Sequence, residues 1–286
     1  MDILVSTLPE NCLRQKKYFY CINKSPYTNS KKLLIMNHNR WDDVAYDYDK
    51  SVEDNKDPII MRYLDREIEI LSNLCKTACK FNKNCSIIDM GAGTGRVIFA
   101  LDEKLQNNSV QFFGVETSDP MIKRANQKSQ NHKVNPNIQF LKYDLRDPNL
   151  FEYFKSNTVN IVMCLYNTLG VIPSDKRQLF VDNMIRIAGN NGLAIIAAFN
   201  GDNFGFVAPR LYHPMLPMIK QIDEDSFDEE NRIFKNSLGF HSQWFTQDEL
   251  KSSLHSDVAP IPIDIEVDGK SYTFGNVFLN KKLNDN

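Results

Sequence analysis

Ser86–Arg96, SIIDMGAGTGR, reads as a buried strand running into a glycine loop. Ser86, Ile87, Ile88 and Asp89 form a short, largely apolar run that closes on an acid. Gly91, Ala92, Gly93, Thr94 and Gly95 follow, and the apolar segment Val97–Leu101 then continues as a helix. Strand, glycine loop and helix in this order cradle a nucleotide-like cofactor. Glycine permits positive φ and carries no Cβ, so the backbone can approach a ligand closely. The loop is G-x-G-x-G followed by Arg96, not the G-x-G-x-x-G of pyrophosphate binders.

Further strand tips extend the pattern. Val110–Glu116 (VQFFGVE) is a second short apolar strand ending in an acid, and Glu116 lies 21 residues beyond Gly95. A carboxylate there can accept both ribose hydroxyls of an adenosine. Thr117–Met121 reads as a turn and helix start, with Ser118 or Asp119 as N-cap and Pro120 at the first helical position. A third strand, Ile138–Tyr143, leads into Asp144, Leu145, Arg146 and Asp147, of which Asp147-Pro148 reads as a turn. A fourth, Val159–Cys164, runs into Tyr166, Asn167 and Thr168. A fifth, Gly192–Phe199, follows an amphipathic helix over Lys176–Ala188 and the turn signal Gly189–Gly192. Ligands of doubly wound sheets sit outside the carboxyl ends of the strands, which places these tips around one site.

Asp89 with its G-x-G-x-G loop, the G-V-E-x-S-x-x-M-I string of Gly114–Ile122 and the N-N-G-L-A-I-I turn and strand of Asn190–Ile196 resemble the motifs of class I S-adenosylmethionine-dependent methyltransferases. The resemblance covers roughly 41–200 and, more loosely, the C-terminus. It implies an α/β fold: a Rossmann-like, doubly wound, seven-stranded sheet, mostly parallel, with a C-terminal antiparallel strand pair. Ile261–Val267 and Ser271–Asn280 around Asp268-Gly269 supply that pair. The cofactor implied is S-adenosyl-L-methionine, which has no pyrophosphate and so suits the shorter loop. Its implied contacts are Asp89, Gly91, Ala92, Gly93, Gly95, Glu116, Thr117, Met121, Asp144, Leu145 and Cys164, with Asp144 and the amide of Leu145 meeting the adenine. Tyr46 or Tyr48 of the W-x-x-x-A-x-x-Y-D segment Trp41–Asp49 is the implied cover over the sulfonium, where a π face favours positive charge. Tyr46 is carried forward as the contact.

Methyl transfer is an in-line displacement with a good leaving group, so the chain needs orientation and water exclusion more than a nucleophile of its own. Tyr166 and Asn167 face the methionine end and the acceptor. A base helps with some acceptors. The histidines are His38, His132, His213, His241 and His255; His213 and His241 fall in the presumed acceptor zone, and His213 is the candidate. The tetrapeptide Tyr166–Leu169 lacks the Asn/Asp-Pro-Pro-aromatic signature of enzymes that methylate exocyclic base amines. This points to a small-molecule N- or O-acceptor and away from nucleic acid. RNA or protein methylation, and a non-catalytic cofactor-binding partner, remain the alternatives.

Composition agrees with this reading. With 286 residues and 42% hydrophobic content, one elaborated domain is expected. A net charge of −2 with mixed signs argues against a broad nucleic-acid footprint. No membrane span or leader is expected, and the expected compartment is the cytoplasm. The six cysteines show no C-x-x-C pair and read as buried, inert thiols; no metal site is expected. The organisation read from the chain is an extension over 1–40 and a methyltransferase domain over 41–286. Within that domain, 201–236 is a substrate-lid insertion whose acidic run (Asp223–Glu230) is a solvated face. Thr246 and Glu249 form an expected capping box. Oligomeric state is not legible.

Overall fold

Six consecutive buried residues, Cys85–Met90, form β1, the centre of the main sheet. A strand buried on both faces needs cover on both sides, and β1 receives it from helices. The computed structural model describes residues 40–80, 84–131, 135–144, 147, 149–154 and 159–283. The chain separates into two units, Met1–His38 and Asn39–Asn286, and every described residue belongs to the second. The expected N-terminal extension apart from Arg40, which begins the first described helix, lies outside the described residues, as do His38, His132 and Leu145.

Among the described residues, two helices precede β1: α1 (Arg40–Ser51) and α2 (Pro58–Cys79). Asp57 caps α2, accepting from the amides of Ile59 and Ile60 at 2.9 and 3.2 Å, and Pro58 takes the first helical position. After β1 the elements alternate: α3 (Arg96–Leu105), β2 (Val110–Glu116), α4 (Asp119–Asn131), β3 (Ile138–Lys142), α5 (Leu150–Phe154), β4 (Val159–Cys164), α6 (Thr168–Val171), α7 (Ser174–Ala188) and β5 (Leu193–Phe199). The region after β5 holds α8 (Phe204–Tyr212), α9 (Leu216–Ile219) and three short strands, β6 (Phe227–Asp228), β7 (Ile233–Lys235) and β8 (His241–Gln243). The capped helix α10 (Gln247–Ser253) and the hairpin β9 (Ile261–Val267) and β10 (Lys270–Leu279) complete the described chain.

The main sheet has seven strands in the order β3-β2-β1-β4-β5-β10-β9. Five are parallel neighbours, and β10 runs antiparallel to both β5 and β9. The fold read from the sequence is therefore the fold observed. The hairpin turn is as expected too: Asp268 and Gly269 both take positive φ, 53° and 74°. Side-chain alternation splits the core between the two faces. Ile87, Ile161, Met163, Ile195 and Ala197 pack beneath α1, α2, α3 and α8, while Ile88, Met90, Val162, Cys164 and Ile196 pack against α7. The capping box at Thr246 and Glu249 is present.

One expectation fails. Cys79, at the end of α2, and Cys85, at the start of β1, are joined as a disulfide with Cα atoms 5.7 Å apart, so they are not the separate thiols that spacing suggested. The fold brings the helix end and strand start together, which a spacing rule for metal or redox pairs does not anticipate. Cys75 and Cys164 are free and buried. Among the described residues there is no cluster of three potential metal ligands, and no helix is long and apolar enough to cross a membrane.

Candidate active site

The glycine loop takes the backbone form its sequence demands. Gly91, Gly93 and Gly95 have φ of 91°, 54° and 85°. Val115 O accepts from the amides of Gly91 and Ala92 at 2.8 and 3.2 Å, so the loop is seated on the tip of β2. A Cβ on Gly91 would lie 2.5 Å from Thr168 Cγ2, and one on Gly95 would lie 2.6 Å from Phe140 Cζ. Gly93 differs, because the nearest atoms to a Cβ there belong to the Tyr48 ring, 3.8 Å away. A Cβ there would sit in ordinary van der Waals contact with the ring, without the clash met at Gly91 and Gly95.

Glu116 closes this cradle on the β2 side. Its Oε1 accepts from the amides of Thr117 and Ser118 at 2.7 and 3.0 Å, and its Oε2 accepts from Gly93 N at 3.0 Å. The carboxylate thus fixes the loop as well as the strand tip. Asp144 stands exposed after β3, beside Glu116 through the bond from Tyr143 N to Glu116 O. Met121 is buried in the core, held at the start of α4 by Ser118. Cys164 is turned by strand alternation to the α7 face, opposite Asp89, and burial raises its thiol pKa well above the ordinary range. Its side chain packs in the core on that face.

Asp89 is 3% exposed, and its Oδ1 has no hydrogen-bond partner among the described residues. Desolvation pushes its carboxyl up to about 7, against the pull of Arg96 and with the help of Glu67 and Glu116. A buried carboxylate with an open oxygen is suited to a cationic ligand group.

Helix α1 lies over the loop, and its phase separates the two tyrosines. Tyr48 follows Val44 by one turn, on the buried face, and covers Gly93. Tyr46 is 70% exposed on the other face, so the structure does not bring it to the loop. Asp49, buried, accepts from Thr94 Oγ1 of the loop and from Arg124 Nε of α4 at 2.6 Å, tying the covering helix to both halves of the cradle.

The acceptor side is built on the turn after β4. Tyr166 and Asn167 both take left-handed φ, 50° and 61°, at about 1–2 kcal/mol each for residues with a Cβ. The Asn167 amide restrains this turn: Nδ2 donates to Ser242 Oγ at 2.9 Å and to Gln243 O at 3.0 Å, and Oδ1 accepts from Phe199 N at 3.3 Å. That side chain is engaged as scaffold by these three bonds. Tyr166 packs edge-on to Tyr63 and Phe199 and donates its hydroxyl to Met215 Sδ at 3.3 Å. Burial raises the phenols of Tyr48, Tyr63 and Tyr166, so all three stay neutral and none serves as a base near neutral pH.

His213 caps α8 on the exposed surface, its ring 6.1 Å from that of Phe227. His241 is exposed on β8, with its pKa lowered by burial and by Arg177 and Lys235. Among the described residues, no side-chain hydrogen bond holds either one against the strand tips.

One residue absent from the sequence reading completes the site. Glu67 of α2, 0% exposed, pairs through Oε2 with Arg96 Nη2 at 2.7 Å and accepts from Tyr166 N at 3.2 Å through Oε1. Burial opposes the charge on Arg96, yet Glu67 holds its pKa above the ordinary value. The signal was present in the chain: an acid sits inside the apolar stripe Ile60, Tyr63, Leu64, Ile68 and Leu71.

Residues 87–192 match the methyltransferase domain family. Over that stretch, from within β1 to the residue before β5, the chain is similar to a methyltransferase domain. Carboxy-S-adenosyl-L-methionine synthase from Campylobacter hominis is 28% identical over 155 residues, covering 53% of this chain and 61% of that protein. The enzyme of that name from Nautilia profundicola is 34% identical over 91 residues, covering 31% and 36%. The chain thus spans less than two thirds of these curated relatives. Among solved structures, magnesium protoporphyrin IX methyltransferase from Synechocystis PCC 6803 with bound SAH aligns at TM-score 0.51 and 13% identity, covering 88% of this chain and 94% of that one. An S-adenosylmethionine-dependent methyltransferase from Clostridium acetobutylicum aligns at 0.50 and 14%, covering 84% and 98%. These likenesses concern the fold.

The strand tips fit S-adenosylmethionine in three features: the Gly93 backbone facing the Tyr48 ring, the open oxygen of Asp89 and the fixed carboxylate of Glu116. Two expected results follow. Tyr48→Ala should weaken S-adenosylhomocysteine binding by about 1 kcal/mol through loss of ring contact, while Tyr46→Ala should not change it; calorimetry separates them. Glu116→Ala should destabilise the domain itself by about 1–3 kcal/mol in urea unfolding, because three backbone amides lose their acceptor. Parental stability would show that water replaces the carboxylate there.

Proposed function

We propose that this domain transfers the methyl group of S-adenosylmethionine to a nitrogen or oxygen of a small molecule. The observation that carries the reading is the convergence at the strand tips of the Gly93 loop under Tyr48, the orphaned Asp89 oxygen and the rigid Tyr166 turn. When bound, the cofactor supplies an electrophilic methyl on a sulfonium, with a neutral thioether as leaving group.

The chain supplies position. Gly93, Glu116 and Tyr48 hold the cofactor's place, and Asp89 offers its free oxygen to a cationic group there. The Tyr166 turn sets the floor on which an acceptor rests. Helix α1 and the segment after β5 cover the tips together, joined by the bond from Arg40 Nη1 to Leu238 O at 2.6 Å and by the Lys220–Asp47 ion pair. Such a cover excludes water from the reacting atoms. With Tyr48, Tyr63 and Tyr166 neutral and His213 and His241 exposed, the domain favours an acceptor that arrives already nucleophilic, such as a neutral amine. The role of 201–236 as a substrate lid belongs to this proposal: α8 packs Phe204, Val207 and Leu211 into the core, and Met215 reaches the Tyr166 hydroxyl.

The test is to incubate the protein with methyl-labelled cofactor and separate metabolite, RNA and protein fractions. Label in a small metabolite is the expected result. Label in RNA or protein would replace this reading with a macromolecular acceptor, and RNA binding would then weaken steeply as salt rises. Cofactor binding without transfer to any fraction would mark a non-catalytic binding protein.

A further inference from the structure

Glu67 sits midway along α2, wholly buried. An ion placed there must be answered by partners, since stranding it is costly. Its two oxygens go to different functional elements. Oε2 accepts from Arg96, the residue that immediately follows the glycine loop. Oε1 accepts from the backbone amide of Tyr166, at the tip of β4. The Arg96 guanidinium in turn faces the Tyr166 ring, 5.4 Å from its centroid.

The turn that receives this bond is strained, with two successive residues in the left-handed region and no glycine to relieve either. Asn167 is restrained through its own amide, by Ser242, Gln243 and Phe199. The Tyr166 backbone is restrained through Glu67. A carboxylate suits both tasks, offering an oxygen to each partner and a charge to Arg96. Glutamine keeps an acceptor and loses the charge; methionine keeps the volume and loses both.

We infer that Glu67 is a positioning residue for methyl transfer: it fixes the Tyr166 turn relative to the glycine loop, and so the line between methyl donor and acceptor. The inference rests on the proposed methyl transfer. Glu67 acts through Tyr166 and Arg96. Misplacement of a reacting group by about 1 Å can cost roughly 100-fold in rate.

The test compares Glu67→Gln with the double variant Glu67→Met/Arg96→Met, which strands no buried charge and is expected to fold. Three quantities are read: hydrogen exchange of the Tyr166 amide in 15N-tyrosine-labelled protein, assigned with Tyr166→Phe; S-adenosylhomocysteine affinity by calorimetry; and turnover in the fraction that the parent labels. In the double variant, Tyr166 exchange should accelerate by roughly tenfold or more as its hydrogen bond is lost. S-Adenosylhomocysteine affinity should stay within about threefold of the parent. The kcat should fall by roughly 100-fold. Glu67→Gln should recover most of the exchange protection and the turnover. Parental exchange and turnover in the double variant would overturn the inference, as would a Glu67→Gln variant that keeps the double variant's stability in urea unfolding and is no better in exchange and turnover. If the parent labels no fraction, the methyl-transfer reading fails by itself, and Tyr166 exchange still decides whether Glu67 holds the turn.

Discussion

Arg96→Met should destabilise the domain by about 3–5 kcal/mol, because it strands the Glu67 carboxylate without its counterion. The pair is buried on both sides, with side-chain exposures of 8% and 0%, so solvent does not substitute for the lost guanidinium. Asp89, whose ionised form Arg96 supports, also loses a favourable neighbour. Adding Glu67→Met should return most of the loss, since an apolar pair of similar volume replaces a buried ion pair at little net cost. Urea unfolding of parent, single and double variants measures both steps. A single variant within about 1 kcal/mol of the parent would mean that the site admits water and that the pair is not truly desolvated.

Asp89→Asn should stabilise the domain above neutral pH. The folded protein holds this carboxyl at about 7, against an ordinary value of 3.8. Between those values the folded state keeps a proton that the unfolded chain has released. Stability therefore falls as pH rises through that window and levels off above it. Asparagine removes the penalty of the buried charge, so the variant should exceed the parent by about 2–4 kcal/mol at pH 8 and lose that advantage toward pH 4. Unfolding curves across pH 4–8 test this, and a gap independent of pH would assign the penalty elsewhere. A cationic group seated on Oδ1 favours the ionised carboxylate. S-Adenosylhomocysteine binding near pH 6 should then expel a proton, seen as a dependence of binding heat on the buffer's ionisation enthalpy.

The parallel strands were legible because each is a short apolar run ending at a tip residue with work to do. Asp89 and Glu116 could be placed from that pattern alone. Tyr46 and Tyr48 could not be separated until the phase of α1 was known, since the segment offers an aromatic on each face. Glu67 went unread because a helix buried on one side is judged by its apolar stripe, and the acid inside that stripe has partners 29 and 99 residues away. The scaffold duty of Asn167 was equally hidden, its partner Ser242 lying 75 residues downstream. Strands β6, β7 and β8 have two or three residues each, too few for alternation to show. The cysteine pairing depends on how α2 meets β1, which spacing does not encode.

The order β5-β10-β9 carries a consequence for synthesis. The last strand to be made fills the gap between two strands made before it, so β9 has no partner in the main sheet until β10 arrives. On the ribosome, the open edge of β5 stays unpaired through the emergence of about eighty further residues, a template for misassociation in the meantime. Final zipping joins Asn280 to Ala194 through both its backbone amide and its side chain, at 3.1 and 2.9 Å. A premature stop within β10 would therefore cost the nascent chain two strands rather than one.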